Sequence, residues 1–354
     1  MITPSVLRVL DANVDRCVEG LRVMEDVARF VLDDAALSAR VRDLRHRIAH
    51  AVSGVDAALL ASRRPDEDVG AAPGLPEEPR LSLTQLVRAN AKRAEEALRV
   101  LEEFSRLPEL PPELDTARFK SARFDVYEIE QALAGRLLRQ DRVQRVRGLY
   151  LILDPTATKG RPALEVLEEA LAGGASVIQY RDKIHEKGVQ LKTLAVAREL
   201  CTRHGALLLI NDDPDLAVAC RADGVHLGQR DLPVAAARAI LPHDAIIGVS
   251  AALLEEARQA DADGADYVAV GSIYPTTSKA DTRPAGLATL KQVRAQVQRP
   301  LVAIGGINEE NLEPVLAAGA NAIAVISAVC GAGSPRAAAR RLSEKIREHA
   351  EPHR

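Results

Sequence analysis

At 354 residues and 38.1 kDa, with 47% hydrophobic and 27% charged residues, the chain has an ordinary globular composition and enough length for two medium domains. A formal net charge of -3, with both signs mixed throughout, gives no long-range pull toward nucleic acid or anionic membrane, and 3% aromatics without tryptophan supply little surface for stacking bases. No basic stretch leads into an apolar core at the N-terminus and no apolar run reaches membrane-spanning length. The four cysteines, Cys17, Cys201, Cys220 and Cys330, are too scattered for a zinc knuckle or disulfide frame, so a cytoplasmic protein with buried thiols is expected.

Residues 1–146 are rich in Ala, Leu, Arg and Glu at helical spacing and read as an all-α domain. They also repeat. Ala12-Asn13, Arg16, Glu19, Leu21-Arg22-Val23 and Glu25 recur as Ala89-Asn90, Arg93, Glu96, Leu98-Arg99-Val100 and Glu102, while Ala39-Arg40 with Arg45 recurs as Ala117-Arg118 with Arg123. A duplicated two-helix unit forming four helices is expected, with a Pro- and Gly-rich mobile loop over residues 62–79. Spacings of three put Asn13, Arg16, Glu19, Arg22 and Glu25 on one slowly drifting stripe. That stripe is either a salt-bridged seam between the copies or an arginine site for phosphate or carboxylate.

From residue 147 to 354 the texture changes to short apolar runs alternating with amphipathic helices. The runs cover 148–154, 176–183, 206–212, 224–228, 246–251, 266–274, 300–307 and 322–329, and Gly or Gly-Ala precedes several of them. Eight strand-helix repeats predict an α/β fold, a (β/α)8 TIM barrel. An open doubly wound sheet is disfavoured because no Gly-x-Gly-x-x-Gly follows the first strand.

On a barrel the strand C-termini carry the chemistry, so their polar residues matter most. The second strand ends in Gln179, Tyr180, Arg181, Asp182 and Lys183, and alternation sends Gln179, Arg181 and Lys183 to one side, suited to a polyanion. Asp212 and Asp231 end the third and fourth strand regions and should be neighbours. Two carboxylates at one mouth repel unless a proton or cation lies between them, and an all-oxygen pair beside phosphates suits Mg2+; the bland alternative is two helix-capping or turn acids. Ser250 ends the fifth strand. The loop after the sixth carries Thr276, Thr277, Ser278 and Lys279, which can close over an anion or be a plain turn. Gly305 and Gly306 after the seventh, with Ile326 and Ser327 after the eighth, stand where barrel enzymes seat a phosphate monoester. His185 and His226 have no partners at metal-ligand spacing and read as structural or solvent-exposed.

The ordered segments IQYRDK, LLINDD, GVHLGQRDL, GVSA, GSIYPTTSK, AIGGI and AVISA resemble thiamine phosphate synthase, also called thiamine phosphate pyrophosphorylase, across the whole barrel region. The resemblance implies that hydroxymethylpyrimidine diphosphate is held by residues 179–183 with Asn211, Ser250 and Lys279, with Arg181, Lys183 and Lys279 as the catalytic cations. It implies Mg2+ on Asp212 and Asp231, and thiazole phosphate, plain or carboxylated, against Thr276, Thr277, Ser278 and Gly306 with its phosphate at Ile326 and Ser327. Small-molecule substrates are thus expected, with neither nucleic acid nor membrane as partner and with room for a homo-oligomer. The helical domain resembles an extension carried by some bacterial members of that family, associated with phosphorylating hydroxymethylpyrimidine phosphate; a kinase-like activity or a scaffold role follows. The competing readings are a thiazole tautomerase relative, which expels no pyrophosphate, and a phosphate-ester-binding regulatory protein.

Overall fold

A computed structural model describes residues 2–64, 66, 79–111, 114–276 and 283–350, which form two compact units, residues 1–138 and 139–354. Most of the loop expected at 62–79 lies outside the described residues.

In the first unit, helix α1 (Pro4–Asp26) opens with Pro4 at a position where the missing N–H costs nothing, and Thr3 caps it. Its residues Leu7, Leu10, Val14, Cys17, Leu21 and Met24 recur every three or four positions and make one buried stripe. After a π-helical turn (Val27–Val31) come α2 (Ala35–Ala51), capped by Asp34, and the short α3 (Asp56–Ala61). Helices α4 (Leu83–Phe104), capped by Ser82, and α5 (Thr116–Gln144) repeat the α1-α2 pair. Helices α1 and α4 approach closely at Gly20, where a Cβ would lie 2.8 Å from the Asn90 carbonyl oxygen. The short α3 was not foreseen in the four-helix expectation.

The polar stripe divides. Arg16, Glu19 and Arg22 are exposed, as are Arg93, Glu96 and Arg99, whereas Glu25 and Glu102 are each only 2% exposed. Glu25 accepts hydrogen bonds from Arg42 and Arg45 of α2, and Glu102 accepts from Arg99, Arg106 and the α5 residue Arg123. Burial pushes each carboxyl up, but these guanidinium groups outweigh it and hold both below the usual carboxylate range. The carboxylates therefore pin α1 to α2 and α4 to α5, within each copy. The α1-α4 face is instead closed by small and aliphatic side chains, because the Asn13 and Asn90 amides bond to their own helices, at Val9 and Leu86. The stripe is thus not a salt-bridged seam between α1 and α4; ion pairs that do cross between the copies, Arg40 with Glu128 and Arg47 with Asp125, join α2 to α5.

The second unit is a closed parallel barrel whose strands follow chain order: β1 (Gly148–Leu153), β2 (Ala175–Tyr180), β3 (Leu207–Asn211), β4 (Gly224–Leu227), β5 (Ile246–Ala251), β6 (Tyr267–Gly271), β7 (Leu301–Ile304) and β8 (Ala322–Val325). Between them run α6 (Ala163–Ala172), α7 (Lys187–His204), α8 (Pro214–Ala219), α9 (Val234–Ile240), α10 (Leu254–Ala262), α11 (Gly286–Gln296) and α12 (Glu313–Ala317), and α13 (Ser327–Cys330) and α14 (Pro335–Ala350) follow β8. Several strands are shorter than their apolar runs suggested, since the polar tips leave the ladder and become turns. Left-handed glycines end the preceding helices, as at Gly174 (φ 100°) and Gly319 (φ 98°).

Alternation splits the barrel side chains into two layers. Leu149, Leu151, Ile178, Leu208, Val225 and Val268 pack outward under the helices, while Tyr150, Ile152, Val177, Leu207, Leu209 and Tyr267 fill the interior. Residues at the end of α5 belong to this unit: Arg142 pairs with Asp223 and Asp244, and Arg139 with Asp266. Cys17, Cys201 and Cys330 are buried, and burial pushes the Cys17 thiol up to about 12, so these are inert fillers as expected; Cys220 is half-buried.

Candidate active site

Every strand C-terminus of a closed parallel barrel opens on one mouth, which fixes where the polar tips go. At the end of β3 the chain turns through Asp212, whose φ of 63° lies in the left-handed region that Asp and Asn tolerate better than most side chains. The Asp212 amide donates to the His226 carbonyl at 2.8 Å, so this turn is tied to β4. Asp231, in the turn after β4, accepts from the Gly228 amide at 2.6 Å.

Lys183 Nζ donates to Asp212 Oδ2 at 2.7 Å, and the Asp231 carboxyl is near enough to Asp212 for each to shift the other's titration. Their titrations separate. Burial pushes Asp212 up, but the neighbouring Asp231 and Lys183 outweigh it and hold it below the usual range. Asp231 is raised, first by burial and then by the neighbouring Asp212. Two carboxyls whose titrations oppose each other at one mouth form a place a cation can take. Among the described residues no cluster of three or more His, Cys, Asp and Glu could hold a metal, so this is an all-oxygen, two-carboxylate donor set.

Arg181 pairs with Asp154 at the end of β1, and Asp154 is only 3% exposed, accepting also from the Thr156 amide and hydroxyl. Sequence reasoning passed over Asp154, although its place after an apolar strand is the signal used for Asp212. Asn211 ends β3. Gln179 points into the barrel and donates to the Tyr150 hydroxyl at 2.7 Å.

Tyr180 and Asp182 do not join this group. Strand β2 stops at Tyr180, whose side chain packs in the outer layer and donates to Asp182 at 2.8 Å. Asp182 is committed to the turn, accepting from the Ile184 and His185 amides as well. Alternation past the end of β2 explains this: there Gln179 and the residues at 181 and 183 face one way and Tyr180 and Asp182 the other.

On the other side of the barrel the loop base after β6 is sewn to β7, with the Ile273 and Tyr274 amides donating to the Ile304 and Gly305 carbonyls. Glycine is required here because a Cβ on Gly306 would lie 2.5 Å from the Pro275 carbonyl oxygen, and Gly306 has a φ of 64°. Packing alone thus already requires glycine at this position. Thr276 is the last described residue of that segment; Thr277, Ser278 and Lys279 lie outside the described residues. Ile326 is the residue before α13, and Ser327 begins it.

His226, expected to be structural or solvent-exposed, is a buried partner of the mouth. Its Nε2 lies 2.8 Å from Ser250 Oγ and its ring stacks on Tyr267, with centroids 5.7 Å apart. Tyr150 and Tyr267 were also missed, since from sequence they read as apolar strand residues.

Ionisable groups gathered at one end of a closed (β/α)8 barrel, above a packed interior, define a barrel enzyme. Comparison with known proteins makes this specific. The thiamine monophosphate synthase family matches residues 149–329 and the ThiD2 family residues 8–132. The thiamine-phosphate synthase of Thermosynechococcus vestitus is 42% identical over 342 residues, covering 96% of this chain and 94% of the relative, and that of Synechocystis sp. is 41% identical over 345 residues, covering 97% and 96%. Among solved structures, a thiamine phosphate pyrophosphorylase from Pyrococcus furiosus superposes with a TM-score of 0.55 at 39% identity, covering 59% of this chain and 100% of that one. The chain belongs to the thiamine-phosphate synthase family, whose members are transferases of thiamine biosynthesis. No helix among the described residues is long and apolar enough to cross a membrane.

Proposed function

We propose that the barrel couples hydroxymethylpyrimidine diphosphate with thiazole phosphate, releasing pyrophosphate and forming thiamine monophosphate, with the diphosphate held between the β2 tip and the Asp212–Asp231 pair. The observation that carries this is the Lys183–Asp212 ion pair at 2.7 Å at the mouth, with Asp231 near enough to Asp212 for each to shift the other's titration and Arg181 two residues before Lys183 on the same strand tip. A tautomerase expels no diphosphate and has no use for that cluster. A regulatory protein binding phosphate esters needs no carboxylate pair.

The C–O bond between the pyrimidine methylene and the diphosphate breaks first, its electron pair leaving with the diphosphate. The electron-rich aminopyrimidine stabilises the resulting carbocation. The thiazole nitrogen lone pair then forms the new C–N bond, so no protein nucleophile is needed. Arg181 offers parallel N–H donors to diphosphate oxygens, and Lys183 adds a compact charge as negative charge grows on the leaving group. Lys279 joins them in this reading. Gln179, Asn211 and Ser250 orient the pyrimidine; Thr276, Thr277, Ser278 and Gly306 line the thiazole, with its phosphate at Ile326 and Ser327. Positioning of the nitrogen against the cation supplies much of the remaining rate.

Asp212 and Asp231 fit Mg2+, which commonly takes one or two carboxylates plus substrate phosphates and water. When bound there it would neutralise charge on the departing diphosphate. Pyrophosphate release from the two purified substrates, strictly dependent on a divalent cation, is the test. Release without either cosubstrate or cation would overturn the reading.

For the helical unit the scaffold reading is favoured over a kinase-like one, because Arg42, Arg45 and Arg123 close on the buried Glu25 and Glu102, although Arg16 and Arg93 of the repeated motif stay exposed. ATP consumption by the full chain on adding hydroxymethylpyrimidine phosphate would reverse that preference.

A further inference from the structure

Beneath the mouth, five side chains on five strands form one hydrogen-bonded line through the barrel interior. Gln179 Nε2 donates to Tyr150 Oη at 2.7 Å, Tyr150 Oη lies 2.9 Å from Tyr267 Oη, Tyr267 Oη lies 2.9 Å from His226 Nδ1, and His226 Nε2 lies 2.8 Å from Ser250 Oγ. Burial is nearly complete: Gln179 is 3% exposed, Tyr150 1%, Tyr267 0% and His226 7%. Both ends of the line belong to the proposed pyrimidine site. The three residues between them have no part in it so far.

Each hydroxyl and each neutral imidazole carries one proton, so such a line runs in one sense at a time. Gln179 donates at one end, so the Tyr150 proton goes to Tyr267 and the Tyr267 proton goes to His226 Nδ1. The imidazole proton then sits on Nε2 and is donated to Ser250 Oγ. The Ser250 proton, turned away from His226, is left for the mouth. Burial is the first cause that pushes both phenols up, which keeps them protonated, as this sense requires.

The fold makes room for this line at a cost in side chains. Tyr267 on β6 reaches His226 on β4 by crossing over Gly248 of β5, its register partner, where a Cβ would lie 1.9 Å from the Tyr267 ring carbon Cζ. A space filler alone would need no hydroxyl there. The paired Tyr150 and Tyr267 hydroxyls at the barrel centre make sense as a relay.

We infer that Tyr150, Tyr267 and His226 are positioning residues for the transfer reaction: an ordered hydrogen-bond line that fixes Ser250 as a donor toward a ring-nitrogen acceptor of the aminopyrimidine and couples that choice to the orientation of the Gln179 amide. This rests on the proposed placement of the pyrimidine at Gln179 and Ser250. It adds a specificity rule, since a ring presenting a donor at that edge meets a hydroxyl already committed to donating.

The test uses the full chain. Nitrogen-15 spectra of ligand-free protein should show His226 as the Nε2–H tautomer with Nδ1 accepting, and Tyr267→Phe should turn this into a tautomer mixture. Steady-state rates of Tyr267→Phe should show KM for the pyrimidine diphosphate raised about tenfold or more, with KM for the thiazole phosphate unchanged. His226→Gln, whose amide can accept from Tyr267 and donate to Ser250, should retain most of the activity that His226→Leu loses. Ser250→Ala separates the two readings. Wild-type kinetics in Ser250→Ala would sink the pyrimidine placement; an impaired Ser250→Ala beside a wild-type Tyr267→Phe would sink the relay alone. An Nδ1–H tautomer in the unaltered protein, or equal kinetics in His226→Gln and His226→Leu, would overturn the relay even where Tyr267→Phe fails to fold.

Discussion

Asp212→Asn is the sharpest single perturbation of the mouth. Asparagine tolerates the left-handed backbone at φ 63° as aspartate does, so the turn between β3 and α8 keeps its shape, whereas alanine would add strain of roughly 1–2 kcal/mol. The change removes one negative charge from the pair and the Lys183 ion pair with it. That ion pair is half open to solvent, with Lys183 at 47% and Asp212 at 25% side-chain exposure, so its loss costs about 0–1 kcal/mol. Tm should then fall by no more than roughly 2–4 °C. Activity should respond far more strongly. Losing one strong charge contact to the transition state costs about a hundredfold in kcat/KM, ~2.7 kcal/mol at about 1.36 kcal/mol per decade. The magnesium concentration for half-maximal rate should rise with it. Asp231, freed of the charge that raised it, should titrate lower, which carbon-13 carboxyl shifts would follow. Pyrophosphate release measured against magnesium, alongside thermal melts, decides the matter. Turnover near the unaltered level with an unchanged magnesium requirement would refute the reasoning.

Arg181→Ala should leave the buried Asp154 unpaired, destabilising the barrel by about 3 kcal/mol as well as slowing pyrophosphate release; Asp154→Asn should recover much of the melting temperature but little of the rate. Gly248→Ala forces a methyl into the Tyr267 ring and should cost about 1–3 kcal/mol or more, read as a lower denaturation midpoint in urea. Glu25 and Glu102 titrate below the usual value, so the stability they add is present above about pH 4.3 and lost as pH falls through their folded values. Hydrogen-exchange protection of α1 and α4 should therefore decay between roughly pH 5 and pH 3, and should do so less steeply in the Glu25→Gln, Glu102→Gln double variant.

The barrel was legible because its signal is periodic. Eight apolar runs separated by glycine-marked turns admit few other folds, and two acids at consecutive strand ends are close by topology alone. Strand ends were less legible: nothing local says that β2 stops at Tyr180 so that Asp182 folds back to cap a turn. The Tyr150, Tyr267 and His226 line was invisible for a physical reason. Its members are separated by up to 117 residues and meet only when the sheet closes. In the helical unit the repeat predicted a duplicated hairpin, but helical spacing places a residue on a face without saying which neighbour that face meets. Glu25 and Glu102 consequently turned out to close their own hairpins.

That arrangement has a consequence for how the two copies can change over time. Each hairpin satisfies its acid with arginines it carries itself, so a replacement in one copy leaves an unmet charge that only the same copy can answer. At these two acids the halves can diverge without compensating one another, as Arg106 reaching Glu102 in the second copy illustrates, whereas Arg40 with Glu128 and Arg47 with Asp125 tie α2 of one copy to α5 of the other.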